Sequence, residues 1–394
     1  MKKIRLIETF AGYGSQAMAL DRLNLDYEHY KISEWNVLAN KSYNVIHNKD
    51  KTDYSKNLTD DEVYKNLEEL EISINDKNIL NKKQLKRKGI VWCRQIYNEY
   101  KQNNNLGNIT HIKAKDLQIK DIDKYLYLFT YSFPCTSIST AGKQEGMKKG
   151  SGTTSGLLWE IERIFKEIIN EHLQLPQILF MENVKQVISK RNKNDFDDWC
   201  NFLESIGYTN SYAILNSSEY GGIPQNRERC YMISILGNKK YEFPDKIPLT
   251  KYLRDFLDKG IISEKQYINN PYSINTINKY KNYNFFNETK RYKTIMVLGN
   301  YMKSNYDSSR IVDINGICPT VKENHNTVTA IIDNTHQVRK LTVTEFGRLM
   351  GVNEEDIIKI LSVQSDSNAR KQFGNSIVVD VMVNIFKKLF EQIL

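Results

Sequence analysis

Three apolar runs in this sequence end on groups able to do covalent or acid–base chemistry. The run "LFTYSFPC" stops at a proline and presents Cys135, "ILFMENV" carries Glu182, and "PQNRERCYMISI" sets Gln225, Arg227 and Arg229 at alternate positions before another apolar run. A thiol at the carboxyl end of a strand stands where α/β proteins keep their reactive groups. Nearby cations or a helix N-terminus lower its pKa and make it a nucleophile. A carboxyl group ending a buried run is costly to desolvate unless it has a partner or a task, and burial raises its pKa. Alternation predicts that Gln225, Arg227 and Arg229 point to one face. The set therefore predicts one pocket that joins a nucleophile, a carboxyl group and two cations.

A second constellation lies near the start. "ETFAGYGSQAMAL" follows an apolar strand and places Gly12 and Gly14 at a turn before a helix, where the backbone can approach a ligand and free N–H groups are available. Glu34, in "ISEWN", comes 20 residues after Gly14. A carboxylate there can accept hydrogen bonds from ribose hydroxyls, as in dinucleotide folds. Trp35 beside it and Asp116 in "KAKDLQI" would complete a cleft. These residues alone fit a nicotinamide, a flavin or a nucleoside-sulfonium cofactor equally well.

The elements that must hold these groups alternate short β-branched or aromatic runs with helical patterns, the mark of a parallel sheet covered by helices. Strands are predicted at Ile4–Glu8, Tyr27–Ser33, Leu126–Ser132, Ile178–Glu182, Tyr212–Asn216 and Cys230–Ile235, with helices at Ser15–Leu23, Ser155–Asn170 and Asp195–Ser205. Leu157, Leu158, Ile161, Ile164, Phe165 and Ile168 fall at helical spacing and would face the sheet. Pro134 is expected to end its strand, because it has no N–H to give the ladder. The Gly-, Ser- and Thr-rich loop 136–156 then follows as an expected lid.

Residues 48–107, polar and rich in Lys and Asn, read as an insertion between sheet elements. A catalytic domain is expected over 1–236, an irregular second domain over 237–338, and a segment 339–394 that returns to the first. The five cysteines are scattered, with no CxxC or Cys/His spacing, so neither a disulfide framework nor a metal site is indicated. The net charge of +9 suits a polyanionic partner such as nucleic acid, although Lys and Asn are abundant throughout. No apolar run approaches the roughly 20 residues of a membrane span, and a cytoplasmic protein is expected.

In order along the chain, "FAGYG", "EW", "FPC", "ENV", "QNRER", "RKLTVTEFGRLMG" and "GNS" resemble the DNA cytosine-C5 methyltransferases, a resemblance running from about Ile4 to the C-terminus. It implies a Rossmann-like, doubly wound α/β fold with a smaller, irregular DNA-recognition domain. It further implies a monomer on double-stranded DNA, bacterial or phage-encoded, either solitary or paired with a restriction endonuclease that acts separately. Cys135 would add to C6 of a flipped-out cytosine, Glu182 would bond or protonate N3, and Arg227 and Arg229 would support O2 and the nearby backbone. The cofactor implied is S-adenosylmethionine, over Phe10, Gly12, Gly14 and Pro134, with Glu34 on its ribose, Trp35 and Asp116 at its adenine, and Asn375 and Ile377 closing the pocket. No metal is implied. Ser139, Lys143, Gln144, Gln225, Thr320 and Val321 would meet DNA.

Thr136 stands where many relatives have glutamine, and Thr154 where close relatives often carry arginine. The "CFT" element of the family's tRNA-modifying branch is absent here. An inactive DNA-binding relative would have no need to retain Cys135, Glu182 and both arginines.

Overall fold

The computed structural model describes residues 2–139, 145–303, 309–323 and 328–393. Its contacts divide the chain into two compact units, Met1–Ile214 with Arg229–Phe243 and Phe386–Leu394, and Leu215–Glu228 with Pro244–Ile385.

The first unit is built on a six-stranded sheet made by β1 (Lys3–Thr9), β2 (Tyr27–Ser33), β3 (Tyr125–Tyr131), β4 (Ile178–Val184), β5 (Tyr208–Asn216) and β7 (Glu228–Leu236), in the order β2-β1-β3-β4-β7-β5. The first four in that order are parallel neighbours, and β7 runs antiparallel to β4. Every residue of β4, "ILFMENV", is buried, as a central strand covered on both faces requires. One covering layer comes from α6 (Leu158–Asn170) and α7 (Lys193–Ser205). Ile161, Ile164, Phe165 and Ile168 of α6 join Phe129 and Tyr131 of β3, Met181 of β4 and Trp199 of α7 in one core. The predicted helical face thus meets the sheet. The remaining helices of this unit include α1 (Ser15–Arg22) and α2 (Val37–His47) after the first two strands, and α3 (Asp60–Glu69), α4 (Lys82–Lys88) and α5 (Ile90–Gln102) in the insertion. The insertion has its own small core, with Val63, Leu67, Leu85, Cys93 and Ile96 all fully buried.

In the second unit β6 (Gln225–Asn226) pairs with β10 (Cys318–Pro319), and β8 (Val297–Asn300), β9 (Arg310–Val312), β11 (Ala330–Ile332) and β12 (Val338–Lys340) form a sheet in the order β12-β11-β9-β8. Helices α8 (Ser217–Tyr220), α9 (Pro271–Lys279), α10 (Val343–Leu349), α11 (Glu354–Val363) and α12 (Asp366–Asn375) belong here, while α13 (Val379–Ile393) is divided between the units.

Two expectations change. The units do not follow the expected 236/237 and 338/339 divisions: 215–228 groups with the second unit, and of the C-terminal segment only Phe386–Leu394 groups with the first, where Phe386 packs on Phe180 of β4 at 5.0 Å between ring centroids. The third strand stops at Tyr131, three residues before Pro134, so the proline lies in the loop beyond it and does not end it.

Candidate active site

β1 and β2 lie side by side with Thr9 opposite Ser33, so the turn after β1 and Glu34 after β2 meet at one edge of the sheet's carboxyl ends. Phe10, Gly12 and Gly14 all have positive φ, of 56°, 58° and 82°. At Gly14 the demand is also steric, since a Cβ would come within 2.4 Å of His47 Nε2. The Glu34 carboxylate accepts the Gly12 N–H at 2.9 Å and the Asn36 N–H at 2.7 Å. Burial pushes its pKa up to about 7, against those two stabilising hydrogen bonds. Glu8, which carries no motif in the sequence, lies beneath the turn: it accepts from Tyr43 Oη at 2.8 Å and the Ala17 N–H at 3.3 Å, and burial raises its pKa to about 8.

The reactive side is formed by the next two strands. Tyr131 ends β3 opposite Met181 of β4, which places Glu182 one residue past the pair and Cys135 four past it. Asn183 joins the two ends: its Nδ2 donates to the Phe133 carbonyl at 2.9 Å and its Oδ1 accepts the Val184 N–H at 2.8 Å. Ser155 braces the other side of the Cys135 segment by donating to the Pro134 carbonyl at 2.8 Å and accepting the Ser137 N–H at 3.2 Å. Arg229 Nε stands 3.3 Å from Glu182 Oε1, both side chains largely buried. The two departures, Thr136 and Thr154, are partners, their hydroxyls 2.9 Å apart.

Gln225, Arg227 and Arg229 do not share one face, because they do not lie on one strand. Arg229 is on β7, whereas Gln225 is on the short strand β6 and Arg227 lies between the two. The Arg227 guanidinium is buried and donates to the carbonyls of Val321, Gly374 and Ser376 at 2.9, 3.1 and 2.6 Å.

A model of C-5 cytosine-specific DNA methylases matches residues 84–391. The type II methyltransferase M2.ScrFI of Lactococcus lactis subsp. cremoris is 37% identical over 98% of this chain and 99% of its own length. The orphan methyltransferase M.SssI of Spiroplasma monobiae is 36% identical over 98% and 97%. The chain belongs to the C-5 cytosine-specific DNA methylases. Solved structures agree on the fold: the Entamoeba histolytica methyltransferase EhMeth aligns over 100% of both chains with a TM-score of 0.60 at 17% identity, and S. pombe Dnmt2 over 99% of both with 0.58 at 18%.

The other residues singled out in this methylase scatter. Gln225 is fully buried, its amide donating to the Leu349 carbonyl at 2.7 Å and accepting the Val321 N–H at 2.9 Å, and Val321 is buried with it. Both are interior ties and offer DNA no surface. Thr320 is half-buried, donating to the Asn226 carbonyl at 2.6 Å. Ser139 is half-buried beside the Cys135 turn, its N–H donating to the Cys135 carbonyl at 2.9 Å. Lys143 and Gln144 lie outside the described residues.

Asp116 caps its own short 3-10 turn through the Lys113 N–H at 2.8 Å. The segment running along the carboxyl end of β2 is instead Asn105–Gly107: the Leu106 N–H donates to the Ile32 carbonyl at 2.8 Å and Ser33 Oγ to that of Gly107 at 2.9 Å. Asn375 and Ile377 belong to the second unit, where Asn375 donates to Glu323 at 2.8 Å and Ile377 is buried. Among the described residues no His, Cys, Asp or Glu cluster could hold a metal ion, and no helix is long and apolar enough to cross a membrane.

Proposed function

We propose that this methylase transfers the methyl group of S-adenosylmethionine to C5 of a cytosine flipped out of a short double-stranded DNA site, through a covalent bond between Cys135 and C6. The observation that carries the reading is the convergence at the carboxyl ends of β3 and β4: Cys135 on a segment tied to Asn183, next to Glu182 with Arg229 3.3 Å away. The nucleoside end of the cofactor fits the turn between β1 and β2. A Cβ at Gly12 would meet nothing within 4 Å, so the turn opens onto free space, and Glu34 beside it is a buried carboxylate that ribose hydroxyls would relieve. Gly12, Gly14, Glu34 and Trp35 would hold that end, and the bound sulfonium supplies an electrophilic methyl group.

The protein's own residues do the rest. Cytosine C5 is too poor a nucleophile to take a methyl group unaided. The Cys135 thiolate forms a bond to C6, and the electrons of the C5–C6 double bond become available at C5. Glu182 bonds or protonates N3, where negative charge would otherwise collect, and Arg229 orients Glu182 and offers donors toward O2. Once C5 carries the methyl group, a base removes the C5 proton, the double bond re-forms and Cys135 leaves as thiolate. Recognition falls to the second unit, with the half-buried Thr320 a candidate, and the enzyme is either solitary or matched by a separate endonuclease of the same specificity. Expression in a host lacking cytosine methylation, followed by bisulfite sequencing, should show 5-methylcytosine at one short site for the wild type and none for Cys135→Ala. Unmethylated DNA from cells holding folded wild-type protein would refute the assignment.

A further inference from the structure

The 48–107 segment takes no part in this chemistry, yet its hydrogen bonds converge on Glu34 and the two residues after it. Asn105 is 5% exposed. Its Oδ1 accepts the N–H of Glu34 at 3.0 Å and that of Gly107 at 2.9 Å, while its Nδ2 donates to the Glu34 carbonyl at 3.0 Å and to Asn40 Oδ1 at 2.9 Å. One side-chain amide thus satisfies both backbone groups of Glu34, fixing the direction in which its carboxylate leaves the chain.

Trp35 is held next. Its carbonyl accepts the Ser73 N–H at 2.8 Å and the Tyr100 hydroxyl at 3.1 Å, and the Ser73 carbonyl in turn accepts the Val37 N–H at 2.8 Å. Asn36, between them, donates its Nδ2 to Asp76 of the insertion, while its backbone N–H serves the Glu34 carboxylate and its Oδ1 caps α2. Tyr100 and the segment's core side chains are fully buried, so these contacts issue from a packed element. The competing role, a DNA contact through the basic helix α4, accounts for none of these hydrogen bonds, and two of its lysines, Lys82 and Lys86, already stand 3.2 and 3.8 Å from Asp61 on α3.

We propose that the 48–107 segment is a cofactor-positioning element, and that Asn105 is the residue through which it sets the Glu34 carboxylate for the nucleoside of the methyl donor. The proposal rests on the S-adenosylmethionine reading above. Removing the Asn105 amide leaves two buried backbone groups of Glu34 to find water, and the carboxylate loses its fixed origin.

Titration calorimetry of the full-length protein with S-adenosylhomocysteine, paired with fluorescence anisotropy on a labelled random-sequence duplex, tests it. Asn105→Ala should weaken the nucleoside about tenfold, the loss of a buried hydrogen-bonded clamp, and leave duplex affinity unchanged. In turnover, the cofactor KM should rise while kcat at saturating cofactor stays near wild type, a split that general loss of fold would not give. Tyr100→Phe removes one hydroxyl from a packed core and retains the fold. It should weaken the nucleoside by about threefold, so the proposal stays open to test should Asn105→Ala fail to fold. Unchanged nucleoside affinity in folded variants, or a parallel loss of duplex affinity, would overturn it. A wild type that does not bind S-adenosylhomocysteine would instead overturn the cofactor reading beneath it.

Discussion

Five cysteines compete for the role of nucleophile, and their surroundings separate them. Burial pushes the Cys93 thiol up to about 11 and those of Cys200, Cys230 and Cys318 to about 12, so each stays protonated at neutral pH. Cys135 is half-buried on the loop following β3, on the segment tied to Asn183, whereas Cys230, which lies across from Asn183 on β7, is fully buried within the sheet. Glu182→Gln keeps the shape but removes the carboxyl group. It should lower kcat by about 10²-fold or more in steady-state assays, with S-adenosylhomocysteine affinity unchanged.

Glu34 gives a separate pH signature. Its pKa stands near 7 in the free protein because burial disfavours the charge. Ribose hydroxyls donate to the ionised form, so nucleoside binding lowers that pKa and releases a proton. Affinity for S-adenosylhomocysteine should therefore rise with pH up through about 7 and level off above it, and Glu34→Gln should flatten the profile. A wild-type affinity that falls over the same interval would contradict this assignment.

At the scale of elements, the two arginines of "QNRER" part company. Arg227 gives three hydrogen bonds to carbonyls of distant segments, whereas Arg229 faces Glu182. Arg227→Ala should cost about 2–4 kcal/mol of stability, since charged donors leave buried carbonyls unpaired. Denaturant titration checks this, and Arg229→Ala should instead lose activity with a smaller stability change.

Their difference shows what the sequence could carry. The strands β1, β2, β3, β4 and β7 were legible because each is an apolar run bounded by turn residues, and α6 because its apolar residues recur at helical spacing. The i, i+2, i+4 pattern misled because alternation assumes one continuous strand, and the chain breaks its ladder between Asn226 and Glu228 to pair with Cys318–Pro319. Asn105, Asn183 and Ser155 stayed hidden since each acts by bonding backbone groups far along the chain, from 18 and 21 residues away for Ser155 to 71 for Asn105. A lone Asn or Ser among many carries no local mark of that. The boundaries of the second unit were equally hidden, because 215–228 reaches it through pairings with residues some 90 positions later.

For the whole molecule, a net charge of +9 and a DNA substrate predict binding driven largely by release of counterions from phosphates. Duplex affinity, read by fluorescence anisotropy, should fall linearly on a logarithmic plot against salt, by on the order of 10³-fold between roughly 50 and 200 mM. An affinity indifferent to salt would mean that the Lys-rich composition serves the surface alone. Four neighbouring parallel strands, in the order β2-β1-β3-β4, carry Glu34, the Gly12 turn, Cys135 and Glu182 at their carboxyl ends. The proposed cofactor and reactive residues thus take consecutive positions along the carboxyl ends of one sheet.

The covalent bond is the central claim, and DNA in which 5-fluorodeoxycytidine replaces cytosine tests it, because fluorine blocks the proton loss that would free the enzyme. Incubated with that DNA and S-adenosylmethionine, denatured and mapped by mass spectrometry, the wild-type protein should carry nucleotide on Cys135, and Cys135→Ala should carry none. An active preparation that forms no adduct, or forms it on another cysteine, would contradict the account.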